Sequence, residues 1–369
     1  MSNSQFYKNS YFYDANMRKD KLVSLGATCL EQLAVIILKN TAKYPINYYA
    51  LLLDDITFLI NLDNNNKLLR SAIKVNSSGI NKELLSLSRE VIEHDGTKAL
   101  DMIESALHKE GHVILRTADA FLPFSIYYNP EEFDRKLFRE NAHVIMIVGS
   151  DDENLFFVDQ LNELNLNKYS YYKDRKDIGV YKKKDFYEAL NIYAAVMTMQ
   201  FNEHNVKEAD KFSDKILMQA INHYYNNVAS MKYDSDEVKA IGGREALLFL
   251  KELCINQSGI LNEKVCYPFS GVESKFDMYK EIINGITGIV NRREILLGFY
   301  NNKKVISMSE RILLKHMRED ITAWEILKSA ILKKYEYKDY LMGQNELPYI
   351  EQVIYNEELI FEKLQKVLI

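Results

Sequence analysis

Residues 143–160 read HVIMIVGSDDENLFFVDQ: an apolar run, a polar segment at 150–154, and a second apolar run. Runs of β-branched and aromatic residues on either side of turn formers predict an antiparallel β-hairpin. Opposed residues of such a pair share a face, with Cβ atoms about 4.5–5.5 Å apart. A turn centred on Asp151 sets His143 opposite Asp159. A turn centred on Asp152 sets His143 opposite Leu161, and Asp159 becomes its diagonal neighbour on the same face, still within reach. Only an intermediate register, opposing Gln160, turns Asp159 away. The local sequence therefore predicts an imidazole beside a carboxylate that stabilises its charged form. A purely structural His–Asp pair would look the same at this level.

Working outward, HVILRTA at 112–118 predicts another strand. Residues 81–94 and 99–108 carry helical spacing, and LEQLAVIILK at 30–39 is apolar on nearly every face, as in a buried central helix. After Gly179 the pattern is helical almost to the end, over 184–203, 207–231, 243–254, 275–300, 307–335 and 349–367. With only 14 Gly and 5 Pro, long helices are interrupted seldom. A chain of 369 residues suggests two domains. The fold class expected is α+β: an N-terminal α+β domain at 1–180, followed by a mostly helical domain at 181–369.

Composition sets the partners. Apolar residues at 47% and charged residues at 27% exclude disordered and collagen-like classes. Lys+Arg of 47 against Asp+Glu of 52 leaves a net charge of −5, which argues against general nucleic-acid binding. No run reaches 18 apolar residues; the best, at 48–60, is cut by Asp54 and Asp55, so no membrane span is expected. The N-terminus lacks the apolar core of a signal peptide. Three cysteines, with no C-x-x-C pair, describe neither a disulfide framework nor a zinc site. The expected setting is the reduced cytoplasm.

Cys29 stands in LGATCLEQ, where the buried helix begins. A thiol at a helix N-terminus meets free N–H groups and the positive end of the dipole, and both favour the nucleophilic thiolate. The alternative use is a small buried hydrophobe. Cys29, His143 and Asp159 give the Cys…His…Asp order in which His serves as base, Asp orients it and Cys attacks.

Three stretches together resemble the butirosin-biosynthesis BtrH N-terminal family, a papain-like group. They are Cys29-Leu30-Glu31-Gln32 at a helix start, Asp119-Ala-Phe-Leu-Pro123-Phe with Tyr127-Tyr128 after a strand, and His143–Gly149 followed by Val158-Asp159. The resemblance covers roughly 20–165. It implies a papain-like cysteine-protease-type N-terminal domain, in which a central helix presents Cys29 to His143 on a sheet. It further implies acyl transfer: an acyl group leaves the phosphopantetheine thioester of an acyl carrier protein, rests on Cys29, and passes to an amine as an amide. The pantetheine arm would come with the substrate, and no bound cofactor is implied. Asp119 matches a family position to which no chemical role attaches. Papain-type peptidases place a Gln six residues before the Cys as an oxyanion donor; Val23 stands there instead. The candidate donors are then the Cys29 N–H with Ser24 or Thr28, and a thioester, with its better leaving group, needs less such help than a peptide.

The leading expectation is an amide-forming acyltransferase of natural-product (antibiotic) biosynthesis acting on a small amine acceptor. The alternatives are a cysteine peptidase or amide hydrolase with the same triad, and a non-catalytic scaffold that binds a carrier protein. The segment 168–184 holds seven basic and two acidic residues. It reads first as a solvated loop or strand pair, and otherwise as a docking patch for an acidic carrier protein. His108 and His112 are four apart, but Gly111 intervenes and no H-E-x-x-H is present, so no metal is expected. A homodimer accords with the prevalence of two-fold oligomers.

Overall fold

The computed structural model describes residues 25, 29–41, 46–75, 84–125, 128–131, 142–159, 170–172, 175–229, 238–256, 260–266 and 273–369. The described elements begin with α1 (Cys29–Thr41) and α2 (Tyr48–Leu52), then the hairpin strands β1 (Phe58–Asp63) and β2 (Leu68–Val75). Next come β3 (Leu85–Ile92), α3 (Gly96–Glu110), β4 (Val113–Ala118) and a 3-10 turn (Asp119–Phe121). They are followed by β5 (Ala142–Ser150), β6 (Asn154–Val158), β7 (Tyr171–Tyr172), β8 (Arg175–Lys182), α4 (Lys183–Ile192) and β9 (Ala194–Phe201). The rest is mainly helical: α5 (Glu203–Lys207), α6 (Ala209–Tyr225), β10 (Val238–Gly242), α7 (Gly243–Ile255), β11 (Lys264–Cys266), β12 (Glu273–Asp277), α8 (Met278–Asn301), α9 (Met308–Glu336) and α10 (Leu347–Leu368). The chain is thus α+β with a helical C-terminal region. Among the described residues no helix is long and apolar enough to cross a membrane.

Two compact units form, Met1–Pro45 with Lys82–Val206, and Ile46–Asn81 with Lys207–Ile369. These differ from the expected division at 180/181 in two ways. The first unit runs on through α4 and β9, and the second takes in 46–81. The reason is long-range pairing. Strand β1 lies between β2 and β10, with Ile60 opposite both Ile73 and Ile241.

The first unit is built on an antiparallel seven-stranded sheet of order β3-β9-β4-β5-β6-β8-β7. Two of its strands correct the sequence reading. Residues 81–94 carry helical spacing, yet the described part is strand β3, in which Leu85 and Leu87 alternate with Ser86 and Ser88. The spacing over 184–203 predicts one helix; instead α4 stops at Ile192, Tyr193 turns extended (φ −161°, ψ 129°), and AAVMTMQF continues as β9. β9 is enclosed by β3 and β4, and a strand held on both sides and covered on both faces reads as a continuous apolar run, which periodicity cannot separate from a helix.

One sheet face carries Val113, Leu115, Ile145, Ile147, Ala194 and Val196, packed against Ile103 and Leu107 of α3 and Phe186 and Leu190 of α4. Phe124 stacks on Phe157 at 4.3 Å, which anchors the chain after the Asp119 turn into this core. Helix α3 starts on Asp95, whose side chain accepts from Lys98 N at 2.9 Å, and ends on Gly111 in the left-handed region (φ 76°). His112 therefore lies beyond the helix that carries His108, and no group of three or more metal-ligating side chains occurs among the described residues.

The second unit holds a buried charge network. Arg293 of α8 donates from Nη2 to both oxygens of Glu357 (2.7 and 2.5 Å), from Nε to Asp320 (3.1 Å) and from Nη1 to the Ile56 carbonyl (2.6 Å). Trp324, the sole tryptophan of the chain, donates to the same Glu357 at 2.9 Å. Burial, together with the charge of Glu357, holds the Asp320 carboxyl well above the usual carboxylate range, against the pull of Arg293. At Gly242-Gly243 strand β10 passes straight into α7, with Gly243 at φ +57° and no room for a Cβ against the Tyr224 carbonyl.

A second His–Asp pair lies in this unit. His223 Nδ1 bonds Asp55, whose other oxygen accepts from Thr57 N (2.8 Å) and Thr57 Oγ1 (2.7 Å). The bond to Asp55 raises the His223 pKa above its ordinary 6.5, despite partial burial. A raised folded-state pKa contributes stability that is whole below the unfolded value and fades as pH rises through the folded one. Asp55→Asn should therefore lower the urea midpoint most at about pH 6, with the gap to wild type shrinking by about pH 9. Trp324 fluorescence reads this unit; a gap that does not change with pH would refute the assignment.

Candidate active site

His143 and Asp159 meet as the hairpin reading requires. His143 Nε2 lies 2.7 Å from Asp159 Oδ1, and both side chains are buried. The route to that contact is a β-bulge. Next to the turn, Ser150 opposes Leu155 and Gly149 opposes Phe156. Past the bulge, Ile147 opposes Phe157 and Met146 opposes Val158. In an unbroken ladder Val148 would oppose Phe157, and Asp159 would fall opposite Met146, on the face away from His143. The extra residue, Val148, shifts the pairing by one and restores the Asp152-centred register, with Asp159 diagonal to His143. Asp151 fixes the turn, accepting from Glu153 N at 2.9 Å and Asn154 N at 2.7 Å.

The pair sits near the end of the sheet. Thr117 opposes His143, and the next rung, Ala118 opposite Ala142, is the last. Thr117 Oγ1 donates to the Tyr193 carbonyl at 2.7 Å, tying this end of β4 to the start of β9. Asp119 follows Ala118 directly and is buried at the start of the 3-10 turn, where its carbonyl accepts from Leu122 N at 2.9 Å. It lies at the same sheet end as His143.

Cys29 is the first residue of α1, half-buried, and α1 packs against β5, the strand that carries His143. Cys29 lies within the electrostatic field of Arg116. Arg116 opposes Val144 on β5 and Ala195 on β9, so its side chain leaves the sheet on the face opposite that of His143. Burial, and the like charge of Arg89, hold the Arg116 guanidinium below its ordinary value, while Tyr193 and Cys29 pull it upward. Ser24 and Thr28 lie outside the described residues.

The arginines escape a sequence reading, because Arg89 and Arg116 are 27 positions apart on strands that are not consecutive. Cys254 reads as structural: it is fully buried, and burial pushes its thiol up to about 12, far from a thiolate at neutral pH. Of the basic segment, Lys182 and Lys184 are exposed, while Lys183 bonds Glu104 at 2.5 Å. Strand β8 runs through it beside β7, the strand-pair alternative. No protein-family model matches the chain, and no curated sequence matches it.

Proposed function

We propose that the chain is a cysteine-dependent, papain-like acyltransferase. Cys29 takes the acyl group from a carrier-protein phosphopantetheine thioester and passes it to a small amine. The observation that supports this reading is the buried 2.7 Å bond between His143 and Asp159, in the unit whose one described N-terminal helix opens on a cysteine. Asp159 sets the proton on Nε2, which leaves Nδ1 as the basic nitrogen of the neutral ring. The Cys29 thiol gives its proton to His143, the thiolate attacks the thioester carbonyl, the C–S bond to pantetheine breaks, and the pantetheine thiol leaves with the proton returned by His143. The amine then attacks the acyl-Cys29 carbonyl, His143 takes the amine proton, and the Cys29 sulfur is released as the amide forms. A carrier protein, a cytoplasmic setting and a homodimer belong to the same proposal. Free acid in place of amide would assign the triad to a hydrolase.

A second reading, a non-catalytic binding scaffold, is favoured by one observation: Arg116, whose field includes Cys29, and His143 leave β4 and β5 on opposite faces. Iodoacetamide alkylation of Cys29 against pH, read by peptide mass in wild type and His143→Ala, separates the two. The acyltransferase requires a Cys29 pKa well below about 8.5 that changes when His143 is removed. A Cys29 that behaves as an ordinary thiol and ignores His143 would leave the scaffold.

A further inference from the structure

The corner between α8 and α9 sets exposed apolar side chains inside a basic segment. Residues 302–318 hold five Lys or Arg and one acid, Glu310, in a chain whose net charge is −5. That acid is turned inward. Glu310 accepts from Ser307 N at 2.7 Å, where it closes the helix cap, and from Lys303 Nζ at 2.8 Å. Lys303 in turn lies over the rings of Tyr300 (4.5 Å) and Phe299 (5.4 Å). These contacts pin the connection to both helices, so the residues between stand on a fixed corner.

The outside of the corner carries side chains of two kinds. Val305 is 83% exposed and Met308 72%, and Ile312, one helical turn after Met308, is exposed too. The cap does not need them, since Ser307 and Glu310 form it. Lys304 is exposed next to Val305. Arg311, Lys315 and Arg318, all exposed and spaced i, i+4 and i+7, run as a basic line beside Met308 and Ile312. The line ends where Glu319 pairs with Lys315 (3.6 Å) and His316 (2.9 Å). Besides Glu310, Asp214 of α6 acts on the buried Tyr300 below the corner.

Two features choose the partner. The basic excess selects an anionic surface. The apolar side chains stand proud of a convex corner, and a folded protein would have to offer a socket shaped for them. The headgroup layer of a bilayer admits them without one, and lying on a membrane in this way needs no spanning helix.

We propose that the α8–α9 corner is a peripheral membrane-binding site. Val305, Met308 and Ile312 enter the headgroup layer of an anionic bilayer, and Lys304, Arg311 and Lys315 meet its phosphates. The site is independent of the Cys29 chemistry.

The test sediments the full chain with vesicles of phosphatidylcholine alone, or of phosphatidylcholine and phosphatidylglycerol in equal parts. With about fivefold for each basic residue at an anionic surface, the mixed vesicles should bind about 25-fold more tightly or better. Lys304→Gln and Arg311→Gln should each lose about fivefold, and added salt should weaken binding throughout. Val305→Ser with Met308→Ser should lose about tenfold. All of these positions are exposed, so the urea midpoint read by Trp324 should not move. Insertion is read with Val305→Trp on mixed vesicles that contain brominated phosphatidylcholine. Trp324 is fully buried and should keep its emission, while the added indole should be quenched. No binding to mixed vesicles, equal binding to both kinds, indifference to the Gln variants, or binding without quenching overturns the proposal. Binding to soluble polyglutamate but not to vesicles would assign the corner to an acidic protein, and overturns it equally.

Discussion

Glu357→Ala is expected to destabilise the second unit by about 3–5 kcal/mol, because it strands a buried guanidinium. Both Glu357 oxygens bind Arg293 Nη2, and one also accepts from Trp324. Alanine removes all three bonds and leaves Arg293 facing Asp320, whose carboxyl burial holds well above the usual carboxylate range. The companion Asp320→Asn should behave differently. It keeps the shape of the side chain and removes a carboxyl that resists ionisation, so it should cost less than Glu357→Ala. Its sign depends on pH. A folded carboxyl pKa above the unfolded one gives stability that is present at low pH and is lost as pH rises toward the folded value. The substituted amide does not titrate, so the variant should gain on wild type between about pH 4 and 7. Urea denaturation followed by Trp324 fluorescence measures both. Equal losses in the two variants would show that both carboxyls are charged.

The second large effect concerns Asp159. If His143 is the base, Asp159→Asn should lower turnover on a thioester surrogate by about 10⁴, the loss that the matching substitution brings in a Ser-His-Asp triad. An amide can turn its NH2 toward Nε2 and place the ring proton on Nδ1, which silences the nitrogen that must accept. Substrate binding should change little, so the loss should fall on kcat rather than KM. Single-turnover release of the acyl group from Cys29, with the fold checked by circular dichroism, reads this directly. A loss under about tenfold would reduce the His143–Asp159 pair to a structural contact.

The His143–Asp159 contact was legible because two of the three hairpin registers deliver it. The bulge that selects the register was not, since Val148 is an ordinary member of an apolar run and nothing local distinguishes a paired valine from an unpaired one. Helix α9 was legible to within a residue from its 3–4 spacing over 307–335, and Ser307 with Glu310 closes its start as a capping box four residues long. Strands β3 and β9 carry a helical pattern because their partners are distant. Ser88 meets Thr198 at 2.6 Å across more than a hundred residues of sequence. The same separation hid Arg89, Arg116 and Tyr193, which become a group only once β9 is inserted between β3 and β4. Nothing local marks Arg293 or Glu357 for burial, and only the packing of three helices turns them inward.

The placement of 46–81 in the second unit has a consequence for the order of synthesis. Strands β1 and β2 leave the ribosome early, yet β10, which pairs with β1, and helix α8, which packs on β2, end at residues 242 and 301. At about 5–20 residues per second the hairpin waits roughly 11–45 s for that helix. The first unit, whose last residue is Val206, closes during the wait. A nascent chain halted before residue 238 would therefore pair a finished first unit with an orphaned apolar hairpin. Ribosome-associated holdases would meet this protein in that form.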